Sequence, residues 1–361
     1  MKPEEQKLFK NLCSFKKEEF DADLLRFATP TVLGHLFFNR MQAVAYGTLE
    51  AHGLLGAVNR EFRNSLKVAY EHNKEKNESF FWCVQYLEQV LSGCKGAYAM
   101  LKGAYLCKRY PIGYRTSNDI DLLVHPKDVT VVSNTLLQAG FSQGNIRGGK
   151  FEPASRKEII ESKMMRGETV PFIKEIKLPG MPFLEVDVNF SLDYKPRDTK
   201  LLEEMLNNTV IEEMSEFRVR TLKRDDFFIH LCCHLHKEAT TLPWIEMMRD
   251  MTLYKYCDIY LLLNDETKDG FDHLMTRAKE LGVEKICAFA VIQMSKLFDF
   301  KNTYAVTVAE EILRDDPNFI HTVISPREKK TYVFANKDIA NRFFANSRKE
   351  FLREETVQWM S

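Results

Sequence analysis

No stretch of this sequence approaches 18 consecutive uncharged apolar residues, so no segment reads as a membrane span. Net charge is missing too, because 51 basic residues balance 51 acidic ones. That balance argues against a protein that grips a long polyanion, while leaving room for a local basic patch or a bound nucleotide. The eight cysteines include no C-x-x-C pair and lie mostly among apolar neighbours, the pattern of buried thiols in a reducing compartment. The charged opening M-K-P-E-E-Q-K-L-F-K does not read as a secretory leader, and the expectation is a cytoplasmic protein. No internal repeat is evident.

What is present is ordinary in bulk: 45% hydrophobic and 28% charged residues over 361 positions, enough for two or three units or for one domain with a helical wrap. The 26 phenylalanines suggest well-filled helix interfaces.

The order of the chain is more informative. Apolar residues recur at helical spacing over 24–38 (broken near Pro30), 37–55, 58–70 and 80–91, closed by Gly93 and Gly96. The character changes at Tyr98. A-Y-A-M-L-K-G-A-Y-L predicts a short strand reaching Lys102-Gly103 and then a helix from about Ala104. D-I-D-L-L-V predicts a strand ended by His125-Pro126, and Asp128 is placed to cap a helix through Gln138. Residues 142–150, with three glycines and two cations, read as a loop. A strand around 170–176 leads through K-L-P-G-M-P to F-L-E-V-D-V-N-F, whose period-2 pattern turns Glu185, Asp187 and Asn189 to one side. From Lys200 the chain reads as helical again, over 222–237, 244–262, 270–281 and 282–298, with a tail helix over 326–358. The expected fold class is α+β: a helical region over 1–94, an α/β core over 95–198 and a helical region over 199–361.

The chemistry lies in R-T-S-N-D-I-D-L-L-V, 115–124. In a strand Asp119 and Asp121 face the same way, about 6.5 Å apart at Cα. Two carboxylates that close raise each other's pKa unless a cation neutralises them. A divalent metal does so economically, since Mg²⁺ prefers hard oxygen ligands and keeps positions for water and phosphate. Asp187, on the next acidic-apolar strand, is the natural third ligand, completing a site able to activate a hydroxyl for attack on phosphorus. Lys102-Gly103 would bring a cation and a flexible backbone to the same edge, where a triphosphate could rest.

The string L-K-G-A-Y-L … Y-R-T-S-N-D-I-D-L-L-V … L-L-Q-A-G-F … F-L-E-V-D-V-N-F resembles the nucleotidyltransferase superfamily, whose fold is that of polymerase beta. More narrowly it resembles a little-characterised bacterial nucleotidyltransferase-like family in which that core is embedded in helices. F-F-I-H-L-C-C-H-L-H-K-E and L-Y-K-Y-C-D-I-Y-L-L-L look like that family's later helices, so the likeness covers about 20–300 and is sharp over 100–190. It implies a mixed sheet backed by helices, with Asp119, Asp121 and Asp187 as catalytic Mg²⁺ or Mn²⁺ ligands. The implied reaction moves a nucleoside monophosphate from an NTP, ATP first among them, to a hydroxyl or phosphate of a small-molecule, peptide or protein acceptor, and releases pyrophosphate. Gly103 matches the family's nucleotide-side glycine. The broader superfamily commonly follows it with serine, where this chain has Ala104; Lys102 fits the narrower family's K-G. Arg115 matches an arginine position suited to clamping phosphate. Asn189-Phe190 stands where a histidine and an aromatic are frequent, which points to a different acceptor. Ala104 keeps a kinase-like phosphotransferase reading open. A catalytically inactive nucleotide-binding module is the third reading, against which the three retained carboxylates count.

Two further groups carry alternatives. On a helix His230 and His234 share a face while His236 lies 200° from His234, which disfavours a zinc centre with Cys232 and Cys233. Lining the acceptor side and simple packing both stay open for His230 and His234. Arg147, Lys150, Arg156, Lys157, Lys163 and Arg166 make a basic segment that reads either as a triphosphate or anionic-acceptor contact, Lys150 foremost, or as a solvated loop. Neither the acceptor nor the oligomeric state is written in the sequence.

Overall fold

The computed structural model describes residues 1–15, 20–192, 199–214 and 217–355. The chain forms two compact units: Tyr70–His230, and Met1–Ala69 together with Leu231–Ser361. The first unit is wider than the expected 95–198 core, because it also takes in the second half of a long helix and a hairpin beyond residue 200. Among the described residues no helix is long and apolar enough to cross a membrane. All eight cysteines are free thiols and seven are buried.

The Tyr70–His230 unit is built on a six-stranded sheet. Its strands are β1 (Tyr98–Met100), β2 (Asp119–Val124), β3 (Ser142–Arg147), β4 (Lys150–Pro153), β5 (Phe172–Leu178) and β6 (Met181–Asn189). The spatial order is β1-β2-β6-β5-β3-β4, and β2 with β6 is the parallel pair. Alternation sorts the faces. Ile120, Leu122 and Val124 of β2 and Leu184, Val186 and Val188 of β6 turn into one apolar core. That core also receives Phe80, Val84, Leu87 and Leu91 from the Arg60–Leu91 helix, and Val132 and Leu136 from the Val129–Gln138 helix.

Several expectations are corrected here. The segments 58–70 and 80–91 belong to one 32-residue helix, Arg60–Leu91, because the polar stretch between them contains no proline or glycine to stop it. Residues 142–150 are not a loop. They form most of the β3–β4 hairpin, turned by Gly148 and Gly149 at φ 55° and 75°, where both central residues need positive φ. The third glycine, Gly144, lies where a Cβ would sit 2.2 Å from the Glu152 carbonyl oxygen. The chain beyond Lys200 is not wholly helical either: β7 (Thr209–Met214) and β8 (Phe217–Leu222) pair antiparallel, with Phe217 and Val219 in the apolar core. Asp128 does not cap the helix at Val129 with its side chain, which instead accepts the Ala97 amide at 3.2 Å.

The other unit is mainly helical. The helix expected over 37–55 begins only at Gln42, after a left-handed Arg40 at φ 57°. That expected over 244–262 is two, Leu242–Glu246 and Leu253–Leu263, separated by Met248 at φ 59°. Lys268–Glu280 and Glu284–Leu297 stand close to expectation, and Thr303–Ile312 is an unforeseen helix. The tail helix over 326–358 is overturned. Residues 326–329 are a turn between β9 (Thr322–Ser325) and β10 (Lys330–Phe334); a short helix, Ile339–Phe343, and β11 (Leu352–Glu355) follow. The β-branched and aromatic residues of T-Y-V-F suit the strand that β9 and β11 flank, and 356–358 lie outside the described residues.

Candidate active site on the sheet

Parallel pairing of β2 with β6 sets Asp121 beside Asp187 and Asp119 beside Glu185. Neighbouring strands lie about 4.8 Å apart, so four carboxylates share one patch of the face opposite the core. Asp121 is buried, while Asp119, Glu185 and Asp187 are partly accessible. Glu168 adds its charge through the bridge it makes to Asn189 at the end of β6.

The electrostatics are those of crowded like charges. Burial first, and then the charges of Asp121, Asp119, Glu185 and Glu168, push the Asp187 carboxyl well above the ordinary aspartate range. Burial, Asp119 and Asp121 raise Glu185 in the same way. The nearest compensation is Lys102, whose Nζ lies 2.7 Å from Asp121 Oδ1.

Local backbone delivers that lysine. The Leu101 amide donates to the Asp121 carbonyl at 2.9 Å, extending the β1–β2 pairing by one residue. The chain then turns sharply at Lys102, with φ 45° and ψ −114°, into the short Gly103–Leu106 helix. A positive φ at a lysine is strained, and such strain gathers where a side chain must be aimed. Gly103 permits the turn to lie against the approach to β2, since a Cβ there would stand 2.7 Å from Ser117 Cβ. Ser117 in turn donates its hydroxyl to Asp119 Oδ1 at 2.8 Å. Ala104 belongs to the apolar core, so position 104 contributes nothing to the carboxylate face.

The other expected residues fall differently. Arg115 is buried, and its Nη1 donates to the Thr116 carbonyl at 3.2 Å and approaches Cys107 Sγ at 3.9 Å. Its loop is held by Asn77 of the long helix, which donates to the Arg115 carbonyl at 2.8 Å and accepts the Gly113 amide at 2.7 Å. Lys150 opens β4, three strands away from β6, which is about 14 Å at ordinary strand spacing. It is therefore not brought to the carboxylates. Arg147 pairs with Glu152 across the same hairpin, Lys157 pairs with Glu161, and the side chain of Arg166 lies outside the described residues. His230 is buried within the sheet unit. His234 belongs to the helical unit, where its Nε2 lies 3.4 Å from Glu238 Oε1. Burial opposes ionisation of Glu238, but His234 and Lys255 outweigh it and hold the carboxyl well below its usual range.

Four contributors escaped the sequence reading in part or whole. Glu185 was legible from alternation, and Ser117 stands two residues before Asp119. Glu168 and Asn77 carried no local signal, because contacts across 21 and 38 residues bring them in.

Chemically the donor set is all hard oxygen with a deficit of positive charge, which fits Mg²⁺ or Mn²⁺. Among the described residues no group of three or more His, Cys, Asp or Glu is arranged to hold a metal ion as it stands. Asp119 is turned to Ser117 and Asp121 to Lys102, which accounts for the divergence of two of the three expected ligands.

A family model described as "Uncharacterised nucleotidyltransferase" matches residues 30–299. No curated protein matches the chain. Among solved structures, the crystal structure of an antigenic nucleotidyltransferase-like protein from Paracoccidioides brasiliensis is similar at 13% identity and a TM-score of 0.33, covering 58% of this chain and 93% of that one.

Proposed function

The chain belongs to the uncharacterised nucleotidyltransferase family, and from that premise we propose that it transfers a nucleoside monophosphate from an NTP to an acceptor hydroxyl or phosphate. The observation that carries the reading is the in-register neighbourhood of Asp121 and Asp187 on the parallel strands β2 and β6. The acceptor oxygen bonds to the α-phosphorus, the bond from that phosphorus to the bridging oxygen breaks, and pyrophosphate leaves with the electron pair.

Asp119, Asp121 and Asp187 would hold Mg²⁺ or Mn²⁺, which neutralises phosphate charge and lowers the pKa of a bound hydroxyl. Lys102, whose Nζ lies 2.7 Å from Asp121 Oδ1, would offer its ammonium to the triphosphate at the edge of the same carboxylate patch. Asp187, in register with Asp121, would take the proton of an acceptor hydroxyl at its carboxylate. Gly103 lets the turn that carries Lys102 pack against Ser117. ATP is the first donor to test.

Calorimetric titration of the wild type and of Asp119→Asn/Asp121→Asn with each NTP, with and without Mg²⁺ or Mn²⁺, tests this reading. The expected result is metal-dependent binding of at least one NTP, lost in the double variant while circular dichroism shows the fold intact. Binding of no NTP under any metal condition removes the donor. Binding indifferent to the substitutions removes the metal anchor. Pyrophosphate release in an acceptor screen then separates nucleotidyl from phosphoryl transfer.

A further inference from the structure

The helical unit holds a cavity of about 510 Å³, within the range of small-molecule sites, lined only by its own residues. Its floor is apolar: Ile292 of the Glu284–Leu297 helix and Leu313, just past the Thr303–Ile312 helix, are both buried. Its rim carries three cations, Lys296, Arg314 and Lys337, against two acids, Glu310 and Asp338. Both acids are engaged. Glu310 faces Lys296 at 4.0 Å, and Asp338 Oδ1 accepts the Asn341 amide at 2.9 Å, capping the Ile339–Phe343 helix. Arg314 leans on Glu311 outside the cavity at 3.4 Å. Lys337 donates to a neutral acceptor, the Asn318 side-chain oxygen, at 2.9 Å.

Behind the wall lies a second, independent feature. Arg342 is only 1% exposed, with its guanidinium 4.1 Å from the centre of the Phe334 ring. Among the described residues no carboxylate forms an ion pair with it, and its Nε has no hydrogen-bond acceptor. The charges of Asp250 and Asp338 reach it, but Asp250 is bound directly by Arg348 and Asp338 caps the Ile339–Phe343 helix. A buried charge so poorly compensated is costly, and a counter-ion supplied from outside relieves it.

His321 links that charge to the cavity, since the ring both lines it and receives the Arg342 Nη1 hydrogen bond on Nδ1 at 3.3 Å. Accepting at Nδ1 requires the neutral tautomer with the proton on Nε2. Burial and the neighbouring charges of Arg342 and Lys337 keep it neutral, pushing the pKa down to about 4. The Nε2–H is left as a donor polarised by Arg342, without a protein partner among the described residues. Partial burial and Arg342 also lower the pKa of Lys337, outweighing the opposing charge of Glu355.

We propose that this cavity binds a small organic anion with an apolar body. The carboxylate or phosphate head lies among Lys337, Arg314 and the His321 Nε2–H, and the hydrocarbon lies on Ile292 and Leu313. The site rests on the helical unit alone and stands independently of the nucleotidyl-transfer reading.

Calorimetric titration of the full chain with octanoate, hexyl phosphate and 1-octanol tests it. At least one of the two anions is expected to bind saturably at one site per chain, and the preferred one identifies the head group. 1-Octanol is expected to bind at least tenfold more weakly. Lys337→Gln, a change at an exposed rim residue, is expected to weaken the anion at least tenfold, and Ala340→Phe, which fills the cavity from its edge, to abolish binding. Arg314→Gln serves in place of Lys337→Gln should that variant melt differently from the wild type. Failure of both anions to bind, equal binding of 1-octanol, or an affinity untouched in the folded rim variant overturns the proposal.

Discussion

Asp187 is held in a conflict that a neutral side chain would remove. Burial and four neighbouring acids raise its pKa above the ordinary aspartate value of 3.8. A carboxyl whose pKa rises on folding binds its proton more tightly in the folded chain. Its contribution to stability is therefore fully present below 3.8 and is lost as pH rises through the raised folded value. At neutral pH without metal the carboxyl opposes folding, and Asp187→Asn is expected to stabilise the chain. A gain of about 1 kcal/mol corresponds to roughly 1 °C in Tm if the whole chain melts together and roughly 3 °C if the sheet unit melts alone. Thermal melts in chelator from about pH 4 to pH 8 check this: the variant should melt higher near pH 7.5 and converge on the wild type near pH 4. Adding Mg²⁺ should favour the wild type alone. An Asp187→Asn chain that melts lower at neutral pH without metal would mean that the charge is compensated inside the protein.

Whole elements show where sequence reading succeeds and where it stops. β2 and β6 were legible because one face of each is apolar and the other acidic, so period 2 fixed both the strand and the direction of Asp119, Asp121, Glu185 and Asp187. The β3–β4 hairpin was not, because its apolar residues are sparse; β7–β8 was missed although F-R-V-R alternates and turns Phe217 and Val219 into the core. The turn after β1 is intermediate. K-G marked the place, but the reason for glycine is a contact between elements, the Ser117 side chain 2.7 Å from where a Cβ would stand. Gly103→Ala is therefore expected to push the turn away from the approach to β2, at a cost of about 1–3 kcal/mol. The displaced turn should also carry Lys102 away from the carboxylate face and weaken metal-dependent NTP binding about tenfold, an effect of about 1.4 kcal/mol. Gly93→Ala, where a Cβ meets nothing within 4 Å, is the control. Urea unfolding and NTP titration of both variants measure the two effects. A Gly103→Ala chain indistinguishable from the control would leave K-G without its steric explanation.

At the scale of the molecule, the helical unit is assembled from both ends of the chain, and a periodicity reading has no access to that closure. Long-range pairs inside the unit hold it, and the most buried is Arg348 with Asp250, 98 residues apart in sequence. The guanidinium is 2% exposed and the carboxylate not at all. Arg348 Nε and Nη2 both bond the carboxylate, at 2.7–2.9 Å, while Nη2 also donates to the Met248 carbonyl at 2.8 Å. Burial still outweighs Arg348 and leaves the Asp250 pKa above the ordinary value, so the pair is specific more than strongly stabilising. Breaking it from one side is another matter, because an unpaired carboxylate would remain where water does not reach. Arg348→Met is expected to cost about 3–5 kcal/mol, whereas Asp250→Asn/Arg348→Met, which removes both charges, should recover most of that loss. Urea unfolding of the two single variants and the double variant completes the cycle. A single-variant cost below about 1 kcal/mol would show that the C-terminal segment does not depend on this contact. A double variant no better than Arg348→Met would assign the loss to the Met248 carbonyl and to packing instead of to charge.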